Sequence, residues 1–221
     1  MSLILHYHPL ASFCWKVLIA LYENDTPFER VIVDLGEEKS RAAFFKLWPH
    51  GKFPVLQDTS RDRLVPESAI IIDYLDQYFP GRVTFIPADR DLARQVRLTD
   101  QFYDSYVHEP MQKIVADKIR PEGGKDPYGV DQARNTLATS YPMIDEDMRD
   151  KTWAVGDAFT LADCSAFPAL FYANKVAPFA GDYKHAAAYL ERLSARPSIA
   201  RVLEEAKPYM PMFPFYKPEE A

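Results

Sequence analysis

The residues best placed to do chemistry fall in two tandem motifs between Gly51 and Leu75: Gly51-Lys52-Phe53-Pro54-Val55-Leu56, then Pro66-Glu67-Ser68-Ala69-Ile70. A proline beside a short apolar strand removes an N–H and turns the chain sharply, which leaves a backbone edge free. The second motif puts a carboxylate and a hydroxyl where a helix starts, and the free N–H groups of a helix start attract anions. Either motif alone reads as an edge strand or an ordinary capped helix. In this order the pair describes a cradle for a small, charged, peptide-like molecule.

The elements that must position this cradle follow from the apolar pattern. Leu3 to Tyr7 is a short apolar run closed by Pro9, a buried strand ending in a turn. Phe13 to Tyr22 has helical spacing and is broken by Asn24-Asp25-Thr26-Pro27. Phe28 to Val33 is a second strand, Glu37 to Phe45 a short helix, and Phe53 to Leu56 and Leu64-Val65 two brief strands. Ser68 to Tyr78 closes the unit with Ile71, Ile72, Leu75 and Tyr78 on one face. The order β-α-β-α-β-β-α suits a compact α/β domain with a mixed sheet. Beyond Phe79-Pro80-Gly81 the pattern is helical: one long helix from Ala88 to Lys118, a Gly/Pro-rich loop from Pro121 to Tyr128, then helices over Val130–Met148, Thr160–Asn174, Tyr183–Ala195 and Ser198–Ala206. The expected organisation is residues 1–80 as the α/β domain, 81–88 as a linker and 89–221 as an all-α domain.

Composition narrows the function classes. The 221 residues are 48% hydrophobic and 26% charged, with a formal net charge of −6. That is an ordinary globular chain with acidic and basic residues mixed throughout, so nucleic acid is a poor partner. No apolar run reaches membrane-spanning length, and the first residues lack the pattern of a signal peptide. Cys14 and Cys164 lie far apart and form no metal-type cluster, so no metal is expected and a reducing, cytoplasmic setting follows.

Taken together, the chain resembles the cytosolic glutathione transferases over essentially its whole length, in a bacterial-type form with a serine-like first loop. The resemblance implies a thioredoxin-like first domain and an all-helical second. It implies that Phe53, beside a cis Pro54, pairs through its backbone with the cysteinyl part of glutathione, and that Glu67 and Ser68 hold the γ-glutamyl end. A hydroxyl and helix N–H groups suit that carboxylate, while Glu67 reaches the ammonium. Lys52 joins these residues, and His50 is read as a solvated loop residue. A second match is Gly156-Asp157-Ala158-Phe159-Thr160-Leu161-Ala162-Asp163, the family's folding signature, in which Thr160 and Asp163 have capping-box spacing and Asp163 is structural.

The reaction implied needs a thiolate. A free thiol has a pKa of about 8.5, and a hydroxyl donor near a helix N-terminus lowers it. The family supplies a Ser, Tyr or Cys in or just after the first strand, which here leaves Ser12, Tyr7 and Cys14, taken in that order. Many serine-type relatives place the hydroxyl one position earlier, which is Ala11 here. The expected function is attack of the glutathione thiolate on a small hydrophobic electrophile, as in detoxification, by a homodimer. The alternatives are a thiol-disulfide reductase or peroxidase using Cys14, and a binding module without chemistry. His8, Leu10, Tyr103, Tyr106, His108 and Phe215 are expected to wall the electrophile's pocket. Asp100 or Asp104 would either reach glutathione in a partner subunit or lie on a solvated helix face.

Overall fold

The computed structural model describes residues 2–179, 181 and 183–217. Four strands form one sheet in the order β2-β1-β3-β4. They are β1 (Leu3–Tyr7), β2 (Glu29–Ile32), β3 (Val55–Asp58) and β4 (Arg63–Pro66). β1 runs parallel to β2 and antiparallel to β3, which is antiparallel to β4. The parallel pair needs a crossover, and α1 (Ser12–Glu23) supplies it. In β1, Leu3, Leu5 and Tyr7 are buried and the residues between them less so, the alternation of a half-covered strand. α1 and α3 (Ser68–Tyr78) pack together, while α2 (Glu38–Leu47) closes a separate small cluster through Phe44, Val33 and Val55. β3 starts at Val55 rather than Phe53, because its ladder with β1 begins only after the Phe53–Pro54 turn and runs on to Leu3 opposite Asp58.

The rest of the chain is helical: α4 (Arg90–Tyr103), α5 (Glu109–Ile119), α6 (Pro127–Asp147), α7 (Leu161–Val176), α8 (Lys184–Ser194) and α9 (Pro197–Ala206). The single helix expected over Ala88–Lys118 is interrupted by a π segment, Asp104–His108. Pro110 is the cause. It has no N–H to give to the carbonyl of Tyr106 four residues back, and its ring crowds that carbonyl. The widened turn relieves the clash, and the released Tyr106 carbonyl accepts a bond from Ser140 Oγ at 3.0 Å.

α7 is the central post and is almost wholly buried. Its capping box forms as the sequence requires, with Asp163 accepting from the Thr160 amide at 2.9 Å. Asp163 also accepts from the Ala154 amide at 2.9 Å and Tyr189 Oη at 2.6 Å, so it fastens a loop and α8 as well. Trp15 of α1 meets Phe167, Phe171 and Tyr172 of α7, with ring centroids 5.9, 5.2 and 4.9 Å apart. This aromatic contact joins the sheet-bearing part of the chain to the helical part.

Candidate active site

Strand register brings the chemistry together. His6 pairs with Val55, and Val55 with Pro66. The loop after β1, the Phe53–Pro54 step and the Pro66-Glu67-Ser68 step therefore meet at one end of the sheet. The Phe53–Pro54 bond is cis. Gly51, just before, has φ 63°, and a Cβ there would sit 2.3 Å from the Phe45 ring, so both conformation and space demand glycine. Glu67 is held at φ 71°, a region that costs a side-chain-bearing residue about 1–3 kcal/mol and persists where function repays it. No side chain caps α3. Ser68, its first residue, is buried, and Glu67 and Lys52 are exposed. His50 is exposed with its ring against Trp48, and it is outside the cleft described next.

A cleft of about 480 Å³ opens beside this end of the sheet. One side is the first loop and Gly51–Phe53; the other is Met111, Val115 and Ile119 of α5 with Tyr172 and Phe213. The first loop is tied on every side. Trp15 Nε1 donates to Pro9 O at 2.6 Å, Tyr172 Oη to Leu10 O at 2.8 Å and the Leu10 amide to His8 Nδ1 at 3.2 Å. His8 stacks on Phe53 and meets the edge of Tyr209, and burial lowers its pKa.

These ties present Ser12 at the first turn of α1, on the cleft wall and 7% exposed. Ala11, the N-cap, has no side chain able to cap, so the first-turn N–H groups add positive character there. Ser12 Oγ shares a hydrogen bond of 2.5 Å with Nε2 of His108. The other two candidates for the thiolate donor are elsewhere. Tyr7 is packed in the core off the cleft, and burial raises its pKa. Cys14 is fully buried under the first turn, and burial pushes its thiol well up, against a weaker opposing bond from the His8 backbone.

Two domain models decide the kinship. Residues 5–83 match the glutathione S-transferase N-terminal domain, and residues 104–197 match the glutathione S-transferase C-terminal domain. The chain belongs to the glutathione S-transferase family. The transferase is 26% identical over 215 residues to a glutathione S-transferase from Pseudomonas putida, across 95% of this chain and 94% of that one. It shares the fold of glutathione transferase URE2P8 from Phanerochaete chrysosporium with oxidized glutathione, at a TM-score of 0.84 and 22% identity over 95% and 97% of the two chains. It also shares the fold of the β-etherase LigF from Sphingobium, at 0.80 and 23% over 93% and 100%.

Some residues expected at the transferase's cleft are placed otherwise. Tyr103 and Tyr106 line a separate groove with Phe102 and Met143, and Phe213 takes the cleft position expected of Phe215. Asp100 and Asp104 do not lie on a solvated helix face; both turn inward to one buried cation. Lys16, fully buried on α1, places Nζ 2.8 Å from Asp100 and 2.7 Å from Asp104, and Ser165 Oγ donates to Asp100. A buried ammonium demands such partners. Burial raises the Asp104 carboxyl to about 6 even with Lys16 pulling it down. Sequence reasoning missed this triad and the bond from His108 to Ser12, since both join residues more than eighty positions apart.

Proposed function

We propose that this transferase binds glutathione along the Phe53–Pro54 edge and the start of α3, and turns its thiolate toward a hydrophobic electrophile in the adjoining cleft. In this reading residues 1–80 carry the glutathione site, 81–88 link, and 89–221 complete the electrophile's pocket. The Phe53 backbone takes the middle of the tripeptide. Ser68 and the uncapped amides of α3 take the γ-glutamyl carboxylate, Glu67 takes its ammonium, and Lys52 a carboxylate at the rim. Ser12 donates its hydroxyl proton to the sulfur, and the start of α1 reinforces the negative charge. The remaining rate comes from holding the two reactants side by side. The observation that carries the proposal is Ser12 on the cleft wall, beside the strand edge that ends in Pro54.

The apolar walls Leu10, Met111, Val115 and Phe213 favour an apolar, aromatic-sized electrophile. The β-etherase among its fold relatives makes an aryl ether a compound to test beside an aryl halide and a peroxide. A homodimer in the cytoplasm, acting in detoxification, completes the reading. Exposed apolar side chains at Leu98, Tyr106 and Met143, which line one groove, support a second copy covering that face.

Titration calorimetry and turnover test the assignment together. Ser12→Ala should keep glutathione affinity at pH values where the bound thiol is neutral and lose kcat/KM by roughly 100-fold, the scale of one donor removed from developing charge. Ser68→Ala should do the reverse and weaken binding first. Absence of glutathione binding by the native protein would end the proposal.

A further inference from the structure

Resting on the Ser12 reading, we propose that His108 is a positioning residue for the thiolate donor: its Nε2–H donates to Ser12 Oγ, which commits the serine's own proton to the sulfur.

A serine hydroxyl has one proton and two lone pairs, and it works as a donor to the thiolate only if that proton is not spent elsewhere. The 2.5 Å contact with His108 Nε2 can run either way. If Ser12 donated to His108, its oxygen would offer the cleft only lone pairs, which repel a thiolate. If His108 donates to Ser12, one lone pair is occupied and the proton is left to point outward.

The surroundings of the imidazole choose between these. His108 is fully buried, and among the described residues its Nδ1 has no hydrogen-bond partner. Were Nδ1 the protonated nitrogen, a buried N–H would stand unsatisfied, the rarer kind of orphan in folded proteins. With the proton on Nε2 the orphan is a bare lone pair. A doubly protonated ring is excluded by the same burial and by the Lys16 ammonium, which together push its pKa down to about 3. His108 therefore carries one proton across the working range, and Nε2 is the site that leaves it bonded.

The ring is also held for the purpose. Phe13, next to Ser12, stacks flat on it with centroids 3.9 Å apart and planes 8° from parallel. His108 is the last residue of the π segment, and the residue inserted there rotates the helix face that follows by about 100°. Pro110 thus does more than break a helix, because the turn it forces sets which side chain meets α1. No proton passes between Ser12 and His108; the thiol's proton leaves to solvent.

The test needs the native protein and four variants: His108→Phe, His108→Gln, Ser12→Ala and the Ser12→Ala/His108→Phe double. Nitrogen-15 NMR of the native protein should show His108 protonated on Nε2; protonation on Nδ1 overturns the proposal without any variant. The pKa of bound glutathione, read from ultraviolet thiolate absorbance against pH, should rise by about one unit in His108→Phe, a tenfold loss of thiolate at a pH below it. Glutathione affinity should stay unchanged at pH values below the bound thiol's native pKa, where the neutral thiol is the form bound, and fall by up to about tenfold above it. His108→Gln, which keeps an N–H, should recover part of the shift, and the double variant should match Ser12→Ala alone. A native thiol pKa in His108→Phe, with a raised one in Ser12→Ala, overturns the role of His108 and leaves Ser12 standing. A native value in Ser12→Ala overturns both.

Discussion

Tyr7, Ser12 and Cys14 share one short stretch of chain, and all three carry a group able to serve a thiolate, yet their surroundings differ in kind. Ser12 sits at the cleft with a fixed partner, whereas Cys14, two residues on, turns inward and is fully buried. A thiol reacts as its thiolate, and burial pushes the Cys14 thiol well above its ordinary value. Cys14→Ala should therefore retain glutathione-dependent turnover within about twofold, the change expected of a small buried hydrophobe. Alkylation of the folded protein should leave Cys14 unlabelled on the timescale of unfolding. Rapid labelling, or loss of turnover comparable to Ser12→Ala, would return Cys14 to the mechanism. At this scale the sequence makes the local geometry of the proposed cradle legible, because the turn at Pro54 and the helix start at Ser68 are set by neighbouring residue types. It does not show which nucleophile partner is live. That depends on His108, 96 positions away, and on which side of one helical turn each residue faces.

The element that departs most from its sequence pattern is the long helix. Apolar residues keep helical spacing across Asp104–His108, so periodicity reads straight through, and only Pro110 signals a break. The β3–β4 hairpin shows the opposite case, a short element held by one acid. Asp58 accepts from the Ser60 amide at 3.0 Å, Ser60 Oγ at 2.6 Å, Arg61 at 3.1 Å and Tyr74 Oη of α3 at 2.8 Å. Burial alone would raise its carboxyl, but the bonds from Ser60, Tyr74 and Arg61 more than reverse that and hold it at about 2. A folded-state value below the unfolded one means stability present above the unfolded pKa and lost as pH falls toward 2. Denaturant midpoints should therefore drop between about pH 4 and pH 2. In Asp58→Asn the midpoint should be lower at neutral pH and the drop shallower. An equally steep drop in the variant would show that other carboxylates carry the acid lability.

On the scale of the whole molecule, the change from alternating strands and helices to helices alone was plain in the apolar pattern, because each part buries its own periodic faces. The side chains that fasten the two parts were not, since each looks like a surface residue in its own helix. Lys16 lies between Asp100 and Asp104, and at the far end of α1 Glu23 is 2% exposed. Glu23 accepts from Arg196 Nε at 2.6 Å and Nη2 at 2.7 Å, and from Ser198 Oγ at the start of α9. The Arg196 guanidinium lies 4.1 Å from the centre of the Phe159 ring, so its position is fixed from both sides. Replacing this bidentate pair with two apolar groups can be nearly neutral, but removing one partner leaves a largely buried charge uncompensated, at about 3–5 kcal/mol. In a chain of this size each kcal/mol moves the melting temperature by about 2–4 °C. Glu23→Ala should thus melt roughly 10 °C below the native protein, and Glu23→Gln, which keeps the shape and one acceptor, less far below. In a double-mutant cycle with Arg196→Ala, the two losses should be far from additive, because the second removal relieves the charge the first exposed. Calorimetric melting that barely shifts in Glu23→Ala, or losses that simply add, would mean that α1 and α9 are held by apolar packing and not by this ion pair.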